Sequence, residues 1–211
     1  MRVERLGETA YIVRDLPCEP WRYSEALSSR SIAGLEEAVA SYETVGLYVD
    51  PDVFLPASVE LAVDRLGTDS TPDLHEIPVC YELGLDLNEA SNKLALRPSE
   101  LVRLHSETVY RCYAIGFMPG FPYLGYLPKA ISGLGRLASP RTQVPRGSVG
   151  ITGRQTGIYP SASPGGWWLI GQTPLKMVDL ETGFFRMHAG DEVRFVPIDS
   201  SRFQELEETQ R

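Results

Sequence analysis

The sequence predicts an α+β fold in two parts, and three observations carry that prediction. The first seventy or so residues alternate short apolar runs with helical stretches. A polar breaker cluster at 68–73, with Gly67 just before it and Pro72 within, marks a boundary. From Thr108 onward the chain is β-rich, and its short runs are broken at even spacing by Gly or Pro, the pattern of a closed barrel. We therefore expect an α+β domain over 1–72 and a β-barrel domain over 73–211, the latter carrying two short helices at about 87–105. With 43% hydrophobic residues in 211, one large core or two small ones can be buried.

Residues 3–6, 10–14 and 45–49 are rich in Val, Leu, Ile and Tyr and read as strands, with a weak helix at 21–29. Residues 35–42 carry helix-favouring Glu and Ala, but a strand there completes a hairpin across Glu43 and Thr44, and we read a strand. Pro56 opens an amphipathic helix in which Val59, Val63 and Leu66 share a face. With 74–81 as a returning strand the pattern is a split β-α-β-β-α-β, a small ferredoxin-like domain, which says nothing of function. A helix over 87–96 follows Asp86 as its N-cap, and Pro98 opens another with Leu101 and Leu104 on one side. This pair has the outline of a DNA-binding helix-turn-helix. Its second helix offers only Arg103 to read bases, however, and the net charge of −8 disfavours nucleic acid, so a helical hairpin packed on the barrel is expected. In the barrel, Tyr110, Cys112 and Ala114 alternate with Val109, Arg111, Tyr113 and Ile115, and the last residues, 203–211, read as a frayed charged helix.

No apolar run approaches the roughly 18 residues of a membrane span, and Met1-Arg2-Val3-Glu4-Arg5 leads into no signal-peptide core, so a cytoplasmic protein without a membrane partner is expected. Cys18, Cys80 and Cys112 are odd in number and never paired as Cys-x-x-Cys, which favours reduced thiols. His75, His105 and His188 show no metal-ligand spacing, so no metal site is expected. The chain also lacks a phosphate-binding Gly-x-x-x-x-Gly-Lys loop, a Gly-x-Ser-x-Gly elbow and a His-Glu-x-x-His helix. Gly147-Ser148-Val149-Gly150 reads instead as a strand after a tight turn.

Candidate site residues come from two rigid segments. In residues 116–128 three prolines and three glycines pin and bend the backbone, and Phe117, Phe121 and Tyr123 are displayed on it as a candidate partner interface. In residues 139–174, Arg141 and Arg146 each adjoin a proline, and a guanidinium held this way can grip a carboxylate or phosphate bidentately. Gln155, Thr156, Tyr159 and Gln172 offer neutral donors and acceptors to a small polar ligand, or staple turns. His105 ends the second short helix, where it either caps carbonyls or serves the site. His188 and Asp179 read first as turn residues. Trp167 and Trp168 are adjacent, so in a strand one faces the interior and the other outward, toward a partner.

These two segments, with His105-Ser106 before them and Gly190-Asp191-Glu192-Val193-Arg194-Phe195-Val196-Pro197 after, closely resemble the B-component family of bacterial ATP-dependent 5-oxoprolinase, also called allophanate hydrolase subunit 1 or the sporulation kinase inhibitor KipI family. The resemblance runs from about residue 77 to 198. It implies a cyclophilin-like β-barrel for the C-terminal part. It also implies a subunit that is inactive alone and, with A and C subunits, uses ATP to convert 5-oxo-L-proline to L-glutamate. ATP would then be bound in the complex, not by a motif of this chain. His105, Arg141, Gln155, Thr156, Tyr159 and Gln172 would bind the substrate, with Arg141, Gln155 and Gln172 on its carboxylate or amide. Some relatives instead inhibit a sensor histidine kinase, and one family name points to urea or allophanate metabolism. No biotin-attachment motif is present, so biotin is not expected on this chain. Two departures stand out: Arg146 replaces a residue that is small in the family, and the segment after Cys80-Tyr81 is shortened.

Overall fold

In a computed structural model the chain is described over residues 1–53 and 71–209. It forms two compact units, Met1–Pro72 and Asp73–Arg211. In the first unit β1 (Arg2–Arg5), β2 (Ala10–Arg14), α1 (Pro20–Ser28), β3 (Leu35–Ala40) and β4 (Val45–Val49) build an antiparallel sheet of order β1-β2-β4-β3. Pro20 fits the first turn of α1, where no backbone donor is needed. Tyr23 and Leu27, four residues apart, share the face that α1 buries with Val13, Val45, Leu47 and Val49. Residues 35–40 are a strand, turned into β4 by the bond from Ser41 N to Thr44 O, 2.9 Å. The helix expected at 56–66 lies outside the described residues.

One pairing differs from expectation. The strand β5 (Leu74–Val79) does not return to the first sheet; it pairs in parallel with β15 (Glu192–Pro197) in the second unit, from Leu74 opposite Glu192 to Val79 opposite Pro197. The edge of β2 that a ferredoxin-like return would occupy holds β1 instead. The reason is physical: a short hairpin closes β1 onto β2 with little loop entropy, while Ile77 and Val79 are apolar on one face and find burial in the barrel.

The second unit contains α2 (Leu87–Lys93), α3 (Pro98–Ser106), β6 (Val109–Ile115), β7 (Pro122–Gly125), β8 (Arg141–Val144), β9 (Ser148–Thr152), β10 (Gln155–Ile158), β11 (Ser163–Gly165), β12 (Trp168–Gln172), β13 (Val178–Asp179), β14 (Phe184–Phe185), β15 and α4 (Ser200–Glu208). Seven strands run in the order β12-β9-β10-β7-β6-β15-β5. The two edges then meet: Cys80 N donates to Gln172 O at 2.8 Å and Gln172 N to Cys80 O at 3.0 Å, curling the sheet into a nearly closed barrel. The interior is filled by Ile77, Val79, Tyr110, Ile151, Ile170 and Phe195 among others, and α2 and α3 pack Ala90 and Leu101 against it as a helical hairpin. Gly84 permits the close approach of the segment after Tyr81, since a Cβ there would stand 2.2 Å from Ile170 O. The C-terminal helix is capped by Asp199, whose carboxylate accepts from Arg202 N, and buries Phe203. Among the described residues no helix is long and apolar enough to cross a membrane.

Candidate functional site

The two faces of β12 feed different clusters. Trp168 and Ile170 point into the barrel interior, whereas Trp167 and Leu169 join Phe121, Val144 and Tyr159 in a second cluster. Both tryptophans are buried within the chain, at 5% and 6% exposure, which corrects the expectation that one is presented outward to a partner. The strict alternation held; what the sequence did not reveal is a second layer over the outer face, made by the 116–121 loop and the β8–β11 pair. Trp168 is fixed by donating from Nε1 to Gly135 O at 2.7 Å.

Within that second layer lies a cavity of about 250 Å³ bounded by Phe117, Phe121, Tyr123, Tyr159, Trp167 and Arg136. Phe121 is its hub. It meets Tyr123, Tyr159, Trp167 and Phe117 edge-on at centroid distances of 5.0, 5.2, 5.4 and 5.5 Å, the geometry that aromatic quadrupoles favour. Hydrogen bonds from Gly116 N to Phe121 O and from Phe121 N to Met118 O, both 3.1 Å, pin the loop. Phe117 sits at φ 68° and is 61% exposed, a left-handed conformation that costs a side-chain-bearing residue roughly 1–2 kcal/mol. Such strain marks positions where a side chain is held in place over a site.

Tyr159 closes the pocket from below. Burial pushes its phenol up, opposed in part by a hydrogen bond with the Trp167 backbone and by the Arg136 and Arg141 guanidinium charges, so it stays a neutral hydroxyl. Gly165 makes this possible, since a Cβ there would lie 2.4 Å from the hydroxyl oxygen. Among the described residues Arg136 is the one cation lining the pocket, and it has no carboxylate or other acceptor partner there.

Arg141 is placed differently from expectation. Its Nη2 donates to Asp86 Oδ1 at 2.5 Å, while Nη1 is buried without a partner. Asp86 in turn exchanges two bonds with Leu169: its own N donates to Leu169 O at 2.8 Å, and its Oδ2 accepts from Leu169 N at 2.7 Å. Asp86 therefore stands where α2 begins but does not cap it with its side chain, because the carboxylate serves β12 and Arg141 instead. A guanidinium neutralised this way clamps β8 to β12.

Other candidates lie elsewhere. His105 is fully buried, so the expected roles of substrate contact or carbonyl cap are corrected to a core role. Its Nδ1 pairs with Tyr81 Oη at 2.7 Å and its Nε2 with Thr156 Oγ1 at 2.9 Å; the ring stacks on Phe195 at 4.5 Å, and Thr156 donates onward to Gly150 O. Burial lowers His105 to about 3, so it is neutral. Thr156 is equally enclosed. Gln172 donates from Nε2 to Arg146 O at 2.7 Å, a turn staple, and Gln155 starts β10 opposite Thr152; neither lines the pocket. Arg146 borders a separate, more open groove with Lys176 and Asp179. Asp179 is a turn residue, accepting from Glu181 N and Thr182 N, and the hydrogen bond from Lys176 holds its carboxyl below the usual value. His188 likewise sits in a turn closed by Asp191.

Arg136 was missed because nothing near it in sequence marks it. A long-range signal exists: residues 108–178 contain seven Lys or Arg and no Asp or Glu, inside a chain whose net charge is −8. An acid-free basic tract in an acidic protein points to an anion or an acidic partner.

The family profile described as "Carboxyltransferase domain, subdomain C and D" matches residues 1–183. The chain is 46% identical over 136 residues to the B component of 5-oxoprolinase from Bacillus subtilis (strain 168), covering 63% of this chain and 56% of that protein. It is 48% identical over 124 residues to the corresponding 5-oxoprolinase component of Haemophilus influenzae, covering 57% and 58%. It thus spans little more than half the length of the curated relatives it matches. Among solved structures it is similar to TTHA0988, with a TM-score of 0.79 and 35% identity over 90% of this chain and 40% of that one. With the profile covering most of its length, the chain belongs to the family of carboxyltransferase domains, subdomains C and D.

Proposed function

We propose that this chain is the B-type component of an ATP-dependent 5-oxoprolinase, a cytoplasmic heteromer in which A and C subunits complete the site around a cyclophilin-like barrel. The identity of 46–48% to proteins named as the B component of 5-oxoprolinase carries this reading. The chemistry agrees with it. Opening a five-membered lactam is unfavourable near neutrality, and this chain has no phosphate-cradling loop, so nucleotide is bound by a partner and coupled to hydrolysis in the assembled complex. Leu180, Phe184 and Phe185 on the β13–β14 hairpin are exposed, and Phe185 lies beside Gly120 of the aromatic loop. We assign that apolar surface to subunit docking.

Co-expression with A and C subunits, followed by an assay of glutamate released from 5-oxo-L-proline, tests the proposal. Release should require ATP and all three chains; turnover by the isolated chain, or none by the full set, would overturn it. The same exposed hairpin also suits a second reading, inhibition of a sensor histidine kinase. That reading requires the purified chain alone to suppress kinase autophosphorylation.

A further inference from the structure

We propose that the aromatic hollow binds a small monoanion built on a compact ring, with the Arg136 guanidinium taking its carboxylate and Phe117, Phe121 and Trp167 gripping the ring. In naming 5-oxo-L-proline as the ligand, this rests on the 5-oxoprolinase reading; the ring-acid assignment stands on the pocket itself.

Size comes first. A cavity of about 250 Å³ falls below the roughly 300–1,000 Å³ of pockets for drug-sized ligands, and suits a single ring with one substituent. Its walls are aromatic faces and edges locked by their contacts with Phe121, so a flat or puckered ring gains dispersion contact without reorganising them.

Charge comes second. Arg141 is already neutralised by Asp86, whereas Arg136 lines the cavity with no acceptor partner among the described residues. No acidic residue occurs between Glu107 and Asp179 in sequence, so the tract that builds the pocket supplies no competing carboxylate. A cation uncompensated among the described residues asks for one negative charge, and a planar guanidinium matches a carboxylate bidentately. The neutral Tyr159 hydroxyl adds a polar group on the floor. The carboxylate contact that the sequence assigned to Arg141 therefore falls to Arg136.

Titration of the purified chain, followed by tryptophan fluorescence through Trp167 and by ligand-observed NMR, tests this with three probes: 5-oxo-L-proline, cyclopentanecarboxylate and 2-pyrrolidinone. Both acids should bind, and the pyrrolidinone, which lacks the carboxylate, should bind about tenfold more weakly or less. Arg136→Gln should weaken both acids about tenfold and leave the pyrrolidinone unchanged, with Arg136→Lys recovering part of the loss. Arg136 is exposed, so these variants should fold as the parent does. Phe117→Ala should weaken all three probes. Equal binding of the three probes, acid affinity indifferent to Arg136→Gln, or no binding at tens of millimolar (on the order of the weakest useful affinity) would each overturn the proposal. The three-subunit assay separates the two ideas. Arg136-dependent acid binding without ATP-dependent glutamate release sinks the 5-oxoprolinase reading alone, whereas normal release with unchanged KM in Arg136→Gln sinks the pocket assignment alone.

Discussion

The two faces of β12 lead to two aromatic clusters that handle polar groups in opposite ways. Inside the barrel, His105 has both ring nitrogens bonded, Thr156 passes the chain on to Gly150, and Trp168 reaches Gly135. Outside, Phe121, Tyr159 and Trp167 surround a hollow on which Arg136 opens with no partner among the described residues. A buried polar group left unpaired is expensive, so the interior satisfies its own. A cation at the rim is hydrated when the pocket is empty and can wait for a ligand. The contrast teaches that the barrel interior pairs its side-chain polar atoms, whereas the outer layer leaves Arg136 without a partner among the described residues and Arg141 Nη1 buried without one.

That contrast is most exposed at Asp86, which supports both regions. Asp86→Ala should leave Arg141 with a largely buried, uncompensated charge and Leu169 N without its acceptor. A loss of about 3–5 kcal/mol is expected in urea unfolding, and a loss under about 1 kcal/mol would show the clamp to be dispensable. Next in size is a pH effect from the interior. Burial holds His105 at about 3 in the folded chain, against 6.5 for an ordinary histidine. Its neutral form is thus the folded form. The stability it contributes is complete above about pH 6.5 and is lost as pH falls toward 3, because the unfolded chain takes up a proton that the folded one refuses. The parent should lose about 4 kcal/mol across that window beyond what His105→Gln loses; parallel curves would refute it.

Thr156→Val should cost about 1–3 kcal/mol by leaving His105 Nε2 unsatisfied, while ring-acid binding in the outer hollow stays unchanged. Phe117→Gly should do the reverse. Relief of the left-handed backbone offsets the lost ring contacts, so the melting temperature should move by only a few degrees, about 1 kcal/mol or less, while ligand affinity drops. A Thr156 variant that lost binding, or a Phe117 variant that lost mainly stability, would erase the distinction between the two clusters.

Much of the framework could be read from local pattern. The alternation at 109–115, the Gly and Pro punctuation after it, the proline opening α3, and the hairpin at 41–44 are short-range features, and each is formed as expected. What escaped depends on partners distant in sequence. Leu74 to Val79 reads as a strand from its composition, but only the burial of Ile77 and Val79 decides which sheet takes it. Asp86 reads as a helix cap until Leu169 and Arg141, 83 and 55 residues on, claim its carboxylate. The aromatic loop was legible as a rigid segment, but Phe117, Phe121 and Tyr123, expected to face a partner, line a hollow with Tyr159, and Phe121 is buried. Arg136 was not legible, since the feature that distinguishes it is that it pairs with no acid among the described residues. His105 drew attention as a lone histidine near a helix end, and periodicity alone does not tell a satisfied core imidazole from a reactive one.

The parallel union of β5 with β15 has a consequence for biogenesis. The strand that begins the second unit emerges from the ribosome more than a hundred residues before its mate, since Leu74 lies opposite Glu192. During that interval the nascent segment carries an unmatched ladder and two apolar side chains, Ile77 and Val79, in the open. Synthesis halted before residue 192 would release a cylinder with its seam unstitched, a natural substrate for chaperones and proteases.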